Sequence, residues 1–270
     1  MPLFKLKKVW DYCSFNIPFF IFIVLLIFTI SWISDFSLSI YGTGYEFMWV
    51  WILQAIITIV LTGYGMSIVR DRINHGYRLP KIMPKQVISL GIKGYIVYVV
   101  YISFQLFILN YIAKIFDFPV FDLHDLLLNF HDTFHLLLSH NPDHAIIFFT
   151  LSGIVFYITT FFVDTGLAQL ADTNSLLKAF NLVEIFRSIN IFGWKNYARD
   201  ITSITLAIVI LGYLQSIDFP DMFLSTLWAT FFGFLMFSTQ YLGIGAVYCN
   251  MKDKRILYEK IKEDQLRRRY

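Results

Sequence analysis

Charge is scarce in this sequence. Asp, Glu, Lys and Arg make up 15% of its 270 residues, where soluble domains carry about 25%. A soluble chain of this size has nowhere to hide a 57% hydrophobic content that comes in long blocks rather than short periodic stripes. Cysteine is scarcer still. Cys13 and Cys249 are the two present; both fall at ends of apolar runs on the side read below as cytosolic. Thiols stay reduced there, which argues against a structural disulfide. Neither sits in a CxxC pair, so redox and metal readings of them are weak. Catalytic signatures are missing too: no GxSxG, Walker A, GxGxxG or HExxH stands in the sequence. That argues against an enzyme. The basic residues gather at the ends of apolar runs rather than in one patch, which argues against nucleic acid as a partner.

What is there is apolar length. Six runs lie at about 17–33, 47–69, 95–115, 145–168, 201–217 and 223–248. At about 1.5 Å per helical residue, each crosses a hydrocarbon core of about 30 Å with modest adjustment. Only helices or closed barrels satisfy their backbone polar groups in lipid, and these runs lack the alternation of barrel strands. The expected fold is therefore all-α: a polytopic membrane bundle of six transmembrane helices. The first run follows Lys5, Lys7 and Lys8 as in a signal peptide, but no small-x-small cleavage pattern follows it. It reads as a retained span.

Basic residues set the orientation. With the N-terminus inside, 21 of the 22 Lys and Arg are cytoplasmic, all but Lys114, and residues 115–177 hold none. Both termini are then cytoplasmic, at the cell membrane. The organisation expected is a membrane domain over 1–250 and a basic, helical cytoplasmic tail over 251–270, with Ile256, Leu257, Ile261 and Leu266 as a sparse apolar stripe. Residues 172–200 read as an amphipathic segment lying in the inner interface. Its apolar side chains include Leu176, Leu177, Phe180, Val183, Ile185 and Phe186. A weak parallel repeat links Gly91-Ile92-Lys93-Gly94-Tyr95 to Gly193-Trp194-Lys195-Asn196-Tyr197, each following a span and a basic loop.

The outer loop 116–144 holds five of the six histidines. His124, His131 and His135 would share one face of a helix. Imidazoles with neighbouring aspartates suit a metal, and zinc is the ion such a loop would take. The competing reading is an amphipathic helix on the membrane surface, with Leu and Phe toward lipid and His and Asp toward water. That reading carries more weight, so no cofactor is expected.

Polar residues inside apolar runs are the other candidates. Asp164 is the one acid there, and ionisable groups within spans are functional candidates by default. Gln54, Gln105 and Gln240 join it as candidate substrate-binding residues, although interhelical hydrogen bonding also explains them. Gly63, Gly65, Gly166, Gly243 and Gly245 gather near the inner ends of three spans. Their expected role is helix packing, since missing side chains let helices approach.

The stretch Gly65-Met66-Ser67-Ile68-Val69-Arg70-Asp71, followed by Gly76, Leu79-Pro80 and Gly91, resembles the family called domain of unknown function 4013. So does the later pattern Ala168, Ala171, Asp172, Ala179 and Phe180. The similarity covers residues 15–250; Lys81-Ile82-Met83 departs from it, standing where acidic residues are frequent. The family is a set of prokaryotic, largely archaeal, polytopic membrane proteins, so the resemblance implies a membrane location and no known activity. From the residues alone, the even span number, repeat and in-span polar groups point to a transport or export component. A non-catalytic membrane scaffold is the alternative. A membrane enzyme or metal-binding protein using the outer His/Asp loop is the third reading. Expected partners are the lipid bilayer and a second copy of the chain or another membrane protein.

Overall fold

The computed structural model describes residues 11–12, 17–39, 48–116, 118, 142–217 and 219–267, and among these there is no strand. The helices are α1 (Ile17–Ser39), α2 (Met48–Ile73), α3 (Pro84–Ile115), α4 (Pro142–Thr173), α5 (Leu176–Ala179), α6 (Leu182–Phe192), α7 (Trp194–Gln215) and α8 (Met222–Arg267). Five of them, α2, α3, α4, α7 and α8, are long and apolar enough to cross a membrane. The first expected run lies on α1, whose apolar stretch Phe20–Trp32 is shorter than the other five. The protein is thus an all-helical, multi-pass membrane protein.

Local chemistry sets the ends. Proline opens both α3 and α4, where its missing N–H costs nothing and its fixed φ suits a first turn. The end of α2 is closed by a Schellman motif, with Gly76 N–H donating to the Asp71 carbonyl (2.8 Å) and His75 N–H to that of Arg72 (3.1 Å). His75 takes the left-handed position of that motif, φ 61°, which glycine usually fills. Asn174 does the same after α4, at φ 57°.

The chain divides into two compact units, residues 1–95 with 165–270, and residues 96–164. In the larger unit, α8 is the central element and packs against α1, α2, α6 and α7. The last span and the basic tail are one uninterrupted helix of 46 residues. Phe20 of α1 meets Phe234 of α8 edge-on with centroids 5.1 Å apart. Trp228 of α8 donates from Nε1 to the Leu214 carbonyl of α7 at 2.6 Å. In the smaller unit, Ala113, Phe118, Ala145 and Phe148 form a buried cluster, with Phe116 and Phe149 against it.

The amphipathic segment is a short turn of helix and then α6. Asn181 caps α6 by accepting from the Glu184 N–H at 3.1 Å. Ile185, Ile189 and Phe192 are buried, whereas Leu177, Val183 and Phe186 are exposed. Apolar residues therefore occupy two sides of this segment rather than one. The two copies of the sequence repeat also differ: Gly91 is helical, while Gly193 is a turn residue at φ 96°. Tyr197 is fully buried and Tyr95 is exposed.

Candidate functional site

The end of the larger unit where the basic residues gather is tied by polar side chains. Three cations on α8 hold the end of α4 and the two ends of α6. Lys252 pairs with Asp172 near the end of α4 at 2.8 Å. Arg255 pairs with Glu184 in the first turn of α6 at 3.0 Å. Lys254 donates to the Phe192 carbonyl at the end of α6 (3.2 Å) and lies 4.7 Å from the centroid of the Phe192 ring. A cation there complements the negative end of the helix dipole, and the ring adds a cation–π attraction. Earlier in the chain, Lys93 donates to both the backbone and side-chain oxygens of Asn174, each at 2.9 Å.

Where α2 meets α8, glycine decides the spacing. A Cβ on Gly65 would stand 2.5 Å from the Tyr241 ring, and one on Gly245 would stand 2.8 Å from Arg72 Cβ. A Cβ on Gly63 would run into the Val87 carbonyl of α3, and one on Gly91 into the Ile59 carbonyl of α2. Gly166 and Gly243 are buried. With its stem against Gly245, Arg72 reaches from Nη1 to the Gly76 carbonyl at 3.1 Å. Asp71 accepts a 2.7 Å hydrogen bond from the Tyr12 hydroxyl.

Beside this, His75, Cys249 and Asp253 come together. Cys249 Sγ is 3.6 Å from His75 Nδ1 and 3.9 Å from Nε2. His75 Nε2 is 3.6 Å from Asp253 Oδ1. Nothing in the sequence flagged this trio, because 174 residues separate His75 from Cys249. The i, i+4 spacing of Cys249 and Asp253 on one helix was the only available signal.

A second polar cluster lies where α4 and α7 meet. The hydroxyls of Thr165 and Tyr197 share a 2.6 Å hydrogen bond, both buried. One turn along α4 is Gln169, 2% exposed. Neither polar atom of its side-chain amide has a hydrogen-bond partner. Asp200 on α7 is buried as well and pairs with Arg199 at 3.0 Å.

The polar residues expected from the sequence fall in both units. Gln54 and Gln240 belong to the larger and are half-buried. Gln105 and Asp164 belong to the smaller, half-buried and buried respectively. His124, His131 and His135 lie outside the described residues.

A family model described as Protein of unknown function (DUF4013) matches residues 47–219. The chain belongs to this family. No curated protein and no solved structure matches it. The DUF4013 match runs from α2 through α7, so His75, Gln169 and Tyr197 lie inside it. Cys249, Asp253 and the three cations of α8 lie beyond it.

Proposed function

We propose that this protein is a component of membrane transport or export at the cell membrane, with both termini cytoplasmic, and that it handles a small polar solute. The supporting observation is Gln169. An amide buried without partners costs on the order of 1–3 kcal/mol, and interiors rarely tolerate it. A purely structural glutamine at this depth would be satisfied by a neighbour. An amide left open, one turn from the Thr165–Tyr197 pair, suits a site where water or a solute supplies the missing bonds. The amide offers two donors and one acceptor oxygen, which fits a neutral or zwitterionic solute rather than a bare anion.

The test is uptake into proteoliposomes from a panel of labelled amino acids, sugars and nucleosides. At least one should accumulate faster than in empty vesicles, and Gln169→Leu should abolish the difference. If no solute exceeds the empty-vesicle rate, the transport reading fails.

A second reading is a non-catalytic membrane scaffold. The side chains that favour it are Lys252, Lys254 and Arg255, which hold α4 and α6 against α8, while Leu177, Val183 and Phe186 beside them stay exposed. Under that reading Gln169→Leu would stabilise the protein and change nothing else.

A further inference from the structure

In the trio at the junction of α2 and α8, the link from His75 to Asp253 is too long for a hydrogen bond. His75 Nε2 to Asp253 Oδ1 is 3.6 Å, beyond the 2.7–3.2 Å in which N–H···O bonds fall. Cys249 Sγ is within hydrogen-bonding reach of the imidazole, 3.6 Å from Nδ1 and 3.9 Å from Nε2, since bonds to sulfur are longer than bonds to oxygen. As a triangle of ligands the same dimensions are close to right. Zinc binds thiolate at about 2.3 Å, imidazole at about 2.0–2.1 Å and carboxylate at about 2.0–2.2 Å. Tetrahedral angles then place sulfur and nitrogen about 3.6 Å apart, and nitrogen and oxygen about 3.4 Å apart. All three ligand atoms lie within 4.8 Å of one another. Taking Nε2 as the donor, closure needs a few tenths of an ångström on the two sides that meet at nitrogen, and a movement of up to about 1.2 Å between sulfur and carboxylate. The side chains of His75 and Asp253 are 70% and 53% exposed, so both are free to make that adjustment.

We propose that His75, Cys249 and Asp253 form a binding site for one divalent metal ion of the zinc class. The donor set selects that class. A thiolate and an imidazole favour a borderline-soft ion over calcium or magnesium, which take oxygen ligands. Three protein ligands leave the fourth tetrahedral position to water, as in exchangeable rather than closed structural sites.

The backbone supports the assignment. His75 stands at the left-handed residue of the Schellman motif, a position that glycine fills most cheaply. The turn aims its imidazole at α8, where Cys249 and Asp253 are one helical turn apart and share a face. Arg72 and Tyr12 hold the same turn through Gly76 and Asp71, so the backbone that carries His75 is fixed before any ion arrives. The bound ion would tie the α2–α3 loop to α8. The site is independent of the transport reading, because neither Gln169 nor Tyr197 belongs to it.

Cobalt(II) reports this site directly. The full-length protein in detergent, stripped with chelator and freed of it, is titrated with Co2+. One equivalent should produce a thiolate-to-cobalt charge-transfer band and tetrahedral d–d bands, and Zn2+ should bleach both. Cys249→Ser should remove the charge-transfer band, and Cys13→Ser should keep it. His75→Asn and Asp253→Asn should each weaken binding roughly tenfold or more, as loss of a ligand should cost at least what loss of its supporting partner does. Both of those residues are exposed, and asparagine tolerates the left-handed turn, so an unchanged melting curve without metal shows that the fold survives. No charge-transfer band, a band lost in Cys13→Ser, or wild-type affinity in the His75 and Asp253 variants would each overturn the assignment.

Discussion

The side chain of Arg72 lies against Gly245. Their closeness is such that a Cβ on Gly245 would stand 2.8 Å from Arg72 Cβ and 3.1 Å from the Val69 carbonyl. One helix supplies the missing side chain and the other the charged one, so the basic end of α2 sits on α8 without losing its reach to the Gly76 carbonyl. A second close approach lies one turn back along α8, where Gly65 of α2 accepts the flat of the Tyr241 ring. In lipid this matters more than in water, because apolar burial does not draw helices together and close contact must.

Replacing Gly245 or Gly65 with leucine should therefore destabilise the bundle. Overpacking of a filled contact costs about 1–3 kcal/mol, read as a lower melting temperature in detergent. Gly153 provides the control, since a Cβ there meets nothing within 4 Å; Gly153→Leu should melt no lower than the parent. Equal melting of Gly245→Leu and Gly153→Leu would mean that the α2–α8 contact is not held by close packing.

Topology is testable by fusion. Reporters placed after residues 8, 85, 190 and 262 should report cytoplasm, and reporters near 40, 130 and 219 the exterior. Residues 115–177 hold no Lys or Arg, and a stretch without them is the one expected outside. A cytoplasmic signal at residue 130 would reverse the whole orientation.

Apolar runs made the helices legible, since a run of about twenty such residues has few other uses. The expected span 223–248 became part of a 46-residue helix because nothing at Cys249–Lys254 breaks a helix; a fall in hydropathy ends a span and not the helix itself. The neighbours of the glycines were not legible: pairing Gly65 with Tyr241 requires the register of α2 on α8. The same holds for Lys254, read in sequence as one more basic residue of the tail. Its hydrogen bond to the Phe192 carbonyl depends on where α6 ends, which Gly193 sets through its positive φ. Gln169 passed unnoticed because a glutamine just past an apolar run looks solvent-facing until its neighbours are placed.

The outer histidines should not bind metal. His124, His131 and His135 recur with leucine and phenylalanine at helical spacing, as a surface-lying amphipathic helix requires. A variant with all three changed to alanine should retain the metal content of the parent, measured by elemental analysis after purification without chelator. A loss of one equivalent in that variant would make the outer loop a metal site.

The pair Arg255–Glu184 fixes α6 to α8, and its strength should be measurable by charge exchange. Exposures of 32% and 27% for the two side chains place it between a surface pair, worth about 0.2–1 kcal/mol, and a buried one. A coupling of about 1 kcal/mol is expected. Glu259 complicates the exchange, because it also contacts Arg255, at 3.1 Å. A glutamate at position 255 would face it one helical turn away and be repelled. The cycle therefore belongs in a Glu259→Gln background. There, Glu184→Arg and Arg255→Glu should each lower the melting temperature and speed amide exchange in Leu182–Phe192. The two together should recover most of both losses. Lys254 contributes separately at the other end of α6, so neither single change should release the helix completely. If the double variant is no better than the sum of its parts, the pair is incidental and α6 is held by Ile185, Ile189 and Phe192 together with Lys254.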